Sequence, residues 1–301
     1  MRPGDPSLVL EATVGETLPT HTKTLRLCFL GCEENPPYGP TEHTANLFLE
    51  LLRETLSDQC KVGGDRWDIY IEIFRVQLGQ YPTNWDIYDG IILPGSFSAA
   101  YDTVDWIETL KQVIQTEIVA KQRSTMGICF GHQIIAHSFE SGMARKHSPG
   151  SRGGRYSMST TEAGSKLFSG TDINFFYSHG DMVEKIPPSA IALGHDPLDN
   201  LPVQSAAYFK NENEAQQFAS GDISVKPFAI TFQAHPEYAV SRDLGLEFTL
   251  SRILTEMAKR KAISSDAEAI AQKDASDNFD MVHQQSKDVF ATSAKVLGWF
   301  S

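Results

Sequence analysis

Between Thr125 and Phe139 the chain passes from an apolar run into a helical pattern, with one cysteine between two glycines at the joint: Met126-Gly127-Ile128-Cys129-Phe130-Gly131-His132-Gln133. No other stretch constrains the fold as tightly. A strand that runs directly into a helix needs a sharp turn, which forces the turn residue into strained φ/ψ space and lifts its side chain clear at the strand end. Small neighbours such as Gly127 and Gly131 let the backbones pass. The helix expected over Gly131–Phe139 aims unpaired amides and its positive dipole end at the sulfur, an environment that favours thiolate. The pattern alone fits a nucleophile and a buried structural cysteine equally well.

A second segment tips the balance. Phe232-Gln233-Ala234-His235-Pro236-Glu237-Tyr238 follows the apolar run Pro227-Phe228-Ala229-Ile230. In an extended segment residues two apart share a face, so Glu237 can grip one imidazole nitrogen of His235 and leave the other to face a thiol. Pro236 stiffens the link by fixing its own φ. A base oriented by a third group is the general logic of nucleophile activation.

With these residues the chain resembles the class I glutamine amidotransferases. That family carries G-x-C-x-G-x-Q at the elbow and H-P-E near the end of its catalytic domain, read here as Gly127 to Gln133 and His235-Pro236-Glu237. Ile91-Ile92-Leu93-Pro94-Gly95-Ser96 is similar to its oxyanion loop, and Tyr177-Ser178-His179-Gly180-Asp181-Met182-Val183 to its substrate segment. The subgroup it resembles is stand-alone, similar to the glutaminase part of GMP synthase, and includes γ-glutamyl peptidases. The resemblance implies Cys129, His235 and Glu237 as catalytic residues. It implies an oxyanion hole from the backbone of Gly95, Ser96 and Phe130, and Gln133, Ser178, His179 and Asp181 as substrate-binding residues.

The 301 residues suffice for a full core, and 41% hydrophobic with 21% charged residues is an ordinary globular balance. A net charge of −12 argues against a nucleic-acid partner, which would ask for a basic face. Four cysteines, Cys28, Cys32, Cys60 and Cys129, are too few for a disulfide scaffold. Cys28 and Cys32 have no second ligand pair at metal spacing, and His132 and His137 face different sides of one helix, so no metal site is expected. No segment has the length of a membrane span, and the first residues lack a signal pattern. A cytoplasmic protein is expected.

Strand-like runs at Leu25–Leu30, Trp67–Val76, Tyr88–Leu93 and Thr125–Ile128 alternate with helical patterns at Thr41–Leu56 and Val104–Lys121, with a Pro/Gly loop at Gly31–Pro40. This predicts an α/β fold: an open, mostly parallel sheet with helices on both faces and the nucleophile elbow at a strand's carboxyl end. Shorter strands are expected at Ile173–Tyr177, Ala190–Gly194 and Val203–Phe209. The glycine-rich Ser148–Gly154 lacks phosphate-loop spacing and reads as a turn. Helices follow at Asp243–Ala262 and Phe279–Phe300, separated by a polar linker at Ile263–Asp277. The chain divides into a flexible N-terminal arm (1–24), a catalytic domain (25–240) and a C-terminal helical extension (241–301).

The resemblance implies a small-molecule γ-glutamyl substrate, attacked by Cys129 to give a γ-glutamyl thioester. No cofactor is expected, because the S-G-G-x-D-S ATP loop of the GMP synthase partner module is absent. Three readings stay open: a self-sufficient hydrolase of γ-glutamyl amide bonds, a glutaminase subunit feeding ammonia to a separate synthase chain, and a non-catalytic binding or regulatory module. The C-terminal helices either cap the catalytic domain or dock a synthase or a second copy. An α/β-hydrolase is disfavoured by order, since that fold places its acid well before its histidine.

Overall fold

A computed structural model describes residues 4–15, 19, 21–34, 39–63, 65–222 and 224–300. Residues 35–38 of the expected Gly31–Pro40 loop lie outside that set, as do 1–3, 16–18 and 20 of the expected arm. In chain order the strands are β1 (Leu8–Gly15), β2 (Thr22–Gly31), β3 (Arg66–Arg75), β4 (Gly90–Leu93), β5 (Thr125–Ile128), β6 (Met143–Lys146), β7 (Arg152–Thr160), β8 (Asp172–His179), β9 (Asp181–Lys185), β10 (Ala190–Asp196), β11 (Leu201–Tyr208) and β12 (Ala229–Phe232). The helices are α1 (Thr41–Gly63), α2 (Asp105–Val113), α3 (Phe130–His137), α4 (Glu162–Leu167), α5 (Glu212–Ser220), α6 (Ser251–Lys259), α7 (Ser265–Asp277) and α8 (Phe279–Val296).

Ten strands form one open sheet in the order β1-β3-β2-β4-β5-β12-β11-β10-β7-β8, and β9 joins beside β11 with β6 paired to it. The half from β3 to β12 is parallel. The remaining strands join antiparallel. Strands β4, β5 and β12 are buried at every position, as central strands covered on both faces must be. Alternate residues feed two cores. Leu27, Phe29 and Ile92 pack with α1 and α8 on one face, while Cys28, Leu30, Ile91 and Leu93 pack with α2 and α3 on the other. Each such fully buried side chain contributes about 1.5–3 kcal/mol of transfer free energy.

Residues 8–15, expected in a flexible arm, instead form β1, paired antiparallel to β3 from Leu8 opposite Ile73 to Gly15 opposite Arg66; residues 22–24 extend β2. The added strand covers an edge that would otherwise present unpaired amides. The linker expected over Ile263–Asp277 is mostly helix α7, capped by the Ser264 hydroxyl, which accepts from Ala267 N–H. The Ser148–Gly154 turn ends early, because Arg152, Gly153 and Gly154 already belong to β7. The C-terminal helices pack directly on the sheet. Phe279, Val282 and Phe290 enter the core, and the Trp299 indole N–H donates to Ser124 Oγ at 2.7 Å beneath Gly90.

Candidate active site

Cys129 sits where β5 meets α3, at φ 51° and ψ −102°. A non-glycine residue there is strained, by about 1–3 kcal/mol, and persists only when its surroundings enforce it. They do. The Cys129 N–H donates to Phe232 O at 2.7 Å, its carbonyl accepts from Gln133 N–H at 3.0 Å, and Gly131 N–H donates to Pro94 O at 3.1 Å. A Cβ on Gly127 would lie 2.9 Å from Thr231 Cγ2, and one on Gly131 would press into the Leu93 carbonyl. Both glycines are there because neighbouring chain occupies the space. His132, next to the elbow, is structural: its Nε2–H donates to Val203 O (3.2 Å), its Nδ1 accepts from Thr231 Oγ1 (2.7 Å), and burial pushes its pKa down to about 4.

Strand β12 ends at Phe232, and Pro236–Ala239 forms a 3-10 turn. His235 and Glu237 therefore meet across a tight turn rather than along an extended strand. Their closeness matches the sequence expectation, and the geometry that delivers it differs. Glu237 Oε1 lies 2.7 Å from His235 Nδ1, with both side chains buried. On the other side of the ring the Ser178 hydroxyl lies 3.2 Å from Nε2, and the ring and Cys129 both sit against Gly95. Burial works against an imidazolium here, but the charges of Glu237 and Cys129 outweigh it and lift His235 to about 10. The Tyr238 ring stacks on His235 with centroids 4.0 Å apart and planes 5° apart.

A cavity of about 290 Å³ opens over Cys129. Gly95, Ser96, Gln133, Ser178, His179, Asp181, His235 and Glu237 line it, so nearly all the expected site residues converge. Phe130 does not line it; its side chain is buried against Trp106 and only its backbone faces the elbow. The Gly95 and Phe130 N–H groups donate to no acceptor among the described residues. Glu33 braces the Gly95-Ser96 loop, accepting from Phe97 N–H at 2.7 Å and from the Ser96 hydroxyl at 3.3 Å.

The segment expected to bind substrate is tied together internally. Gln133 Nε2 donates to Asp181 O (3.2 Å) and to Gln233 Oε1 (3.1 Å), and Gln233 reaches the Cys129 sulfur at 3.7 Å. His179 Nδ1–H donates to Asp181 O at 2.8 Å, which makes Nε2 a bare acceptor. Burial holds this imidazole down at about 3, so it stays neutral. Burial also lifts the Asp181 carboxyl above its usual range, opposed by the Tyr101 hydroxyl that donates to it at 2.9 Å. Gln233, Tyr238, Glu33 and Tyr101 escape sequence reasoning. Gln233 and Tyr238 flank the histidine in a segment already singled out, whereas Glu33 and Tyr101 carry no local signal.

The other cysteines are apart from the site. Cys32 donates to Leu30 O at 3.1 Å, and burial drives the Cys28 and Cys32 thiols upward, keeping them protonated. Among the described residues no cluster of three or more His, Cys, Asp or Glu is placed to hold a metal ion, and no helix is long and apolar enough to cross a membrane.

Residues 59–248 match the family model described as glutamine amidotransferase class-I. A Saccharomyces cerevisiae protein, named provisionally as a glutamine amidotransferase, is 26% identical over 213 residues, covering 68% of this chain and 75% of that one. Gamma-glutamyl peptidase 2 of Arabidopsis thaliana is 30% identical over 179 residues, covering 58% of this chain and 63% of the relative. In fold, a glutamine amidotransferase from Thermotoga maritima superposes with a TM-score of 0.64 at 15% identity, over 91% of this chain and 98% of that one.

Proposed function

The chain belongs to the glutamine amidotransferase class-I family, and on that premise we propose that it hydrolyses the γ-glutamyl amide bond of glutamine or a γ-glutamyl peptide, acting alone through a thioester on Cys129. The observation that carries this reading is the buried Glu237–His235 pair at 2.7 Å, with Cys129 at the strained elbow lining the same cavity. Deprotonated sulfur beside a charged imidazolium is the reactive form of a cysteine nucleophile.

The sulfur attacks the γ-carboxamide carbon, and the carbonyl π electrons move to oxygen. The Gly95 and Phe130 amides, with Ser96 completing the turn, are placed to hold that oxyanion; one such donor is typically worth about 10²–10³ in rate. As the C–N bond breaks, His235 Nε2 gives its proton to the leaving nitrogen, and a γ-glutamyl thioester remains. His235 then takes a proton from water, which attacks the thioester and releases glutamate and the thiolate. Glu237 keeps the ring oriented throughout. In this reading Gln133, Ser178, His179 and Asp181 hold the glutamyl group, with Asp181 facing the α-ammonium.

None of the four cysteines forms a disulfide, which fits a reducing compartment such as the cytosol. A docked synthase would turn the same chemistry into ammonia supply; the wall of C-terminal side chains across the cavity favours the stand-alone form.

The test is glutamate release by the purified chain from glutamine and from γ-glutamylglycine, beside Cys129→Ala. Turnover that disappears in the variant, together with a γ-glutamyl adduct on the intact mass of acid-quenched protein, is the expected result. Undiminished activity in Cys129→Ala sinks the mechanism.

A further inference from the structure

One wall of the cavity comes from a part of the chain that the elbow does not explain. Thr249, Ile253, Met257 and Arg260, on the helical run that includes α6, line it. The run is seated firmly. Gly245 packs against the Tyr238 carbonyl, and Gly153 of β7 lies where a Cβ would meet Leu254 Cδ2 at 2.7 Å and Met257 Sδ at 3.2 Å.

Charge around the cavity is lopsided. Glu33, Asp181 and Glu237 are acidic, and among the described lining residues Arg260 carries the one permanent cation. Its guanidinium lies over the Phe97 ring, 4.7 Å from the centroid, directly beyond the Gly95-Ser96 turn. Its Nε donates to Glu256 at 2.7 Å, and its two Nη groups donate to no acceptor among the described residues. Lys259 lies 3.9 Å from the same Glu256 carboxylate, so the helix end stays net positive. A guanidinium with free Nη groups is shaped to take a carboxylate.

Direction follows from the chemistry. Asp181 and His179 Nε2 offer acceptors, and so suit an ammonium, on the side built by β8 and β9. The helical run grows out of the His235–Tyr238 turn, on the side where His235 must hand its proton to the leaving nitrogen. We propose that Arg260 is a specificity residue that reads a carboxylate on the leaving portion, so that the chain favours γ-glutamyl peptides with a free terminal carboxylate over uncharged γ-glutamyl amides, glutamine included. This rests on the γ-glutamyl reading above and adds the far half of the substrate to it. In a chain of net charge −12, the one permanent cation among the described lining residues is what admits an anionic leaving group.

The test uses full-length Cys129→Ala, which keeps the ligand intact, and a matched pair, γ-glutamylglycine and γ-glutamylglycinamide, compared by calorimetry. The carboxylate form binds about ten-fold tighter, as expected for a charge-assisted pair partly open to solvent, and the ratio shrinks in high salt. Adding Arg260→Ala brings the ratio to about one, Arg260→Lys keeps part of it, and Arg260→Glu inverts it. A ratio near one in the parent overturns the proposal, as does a ratio that survives Arg260→Ala. Equal weakening of both ligands also overturns it, because that would put the guanidinium on the glutamyl carboxylate that both share. Binding is read without turnover, so failed hydrolysis by the Cys129 chain refutes the reaction while this comparison stands or falls separately.

Discussion

Replacing Gly131 by alanine tests whether the elbow depends on close backbone approach. An added Cβ would lie 2.8 Å from Leu93 C and 2.9 Å from Leu93 Cβ, and more than an ångström inside the 3.4 Å at which ordinary contact with the Leu93 carbonyl oxygen begins. The obstacle is mostly backbone at the end of β4, so no rotamer relieves it; α3 must slide away by about an ångström. That motion stretches the Gly131 N–H···O Pro94 bond, now 3.1 Å, and carries the Phe130 amide away from Gly95. Overpacking of this kind costs about 1–3 kcal/mol, which for a chain of this size lowers Tm by roughly 2–5 °C. A misplacement of about 1 Å at reacting groups costs about 10² in kcat/KM. The assay is glutamate release against substrate concentration, with a thermal melt on the same sample. Gly79→Ala is the control: Gly79 has φ 70° with nothing within 4 Å of a built Cβ, so that change carries only a conformational cost of about 1 kcal/mol far from the site. Gly131→Ala with wild-type melting and wild-type kcat/KM would refute the steric argument.

His235 is lifted above its ordinary 6.5 to about 10, so the folded chain holds a proton that the unfolded chain releases. The stability it contributes is fully present below about pH 6.5 and is lost as pH rises through about 10. Glu237→Gln removes the main charge behind that shift: the fall in Tm between those limits flattens, and kcat drops by about 10²–10⁴; an unchanged slope would show that the carboxylate is not its source. Trp299→Ala removes a buried indole and its bond to Ser124, and urea unfolding registers a loss of about 3–5 kcal/mol; a midpoint within error of wild type would make the last residues peripheral.

The residues that a reader could take from the chain are those whose chemistry is local. The elbow glycines, the His235–Glu237 pair and the buried runs of β2 to β5 announce themselves by type and spacing. What stayed hidden is set by packing across the fold. Helix α7 buries only Ala271 and Ala275, so its inner face has no apolar periodicity and its sequence passes for a linker. Gly153 and Gly154 read as a turn, yet they lie in β7 because Leu254, Met257 and Ala271 pack where their side chains would be. Strand β1 buries only Val14, so little in its own packing marks it, and pairing with β3 along its whole length makes it a strand. Glu33 and Tyr101 reach the site from loops distant in sequence, through hydrogen bonds that no spacing rule encodes.

The family match stops at residue 248, and Thr249, Ile253, Met257 and Arg260 come after it. On the proposed reading, the groups that cut the bond and this one wall of the cavity are therefore carried on adjacent but separate lengths of chain. Mutation can accumulate in one without passing through the other. On the proposed reading, exchanging residues 249–262 between relatives would change which leaving portion is accepted while Cys129, His235 and Glu237 stay in place.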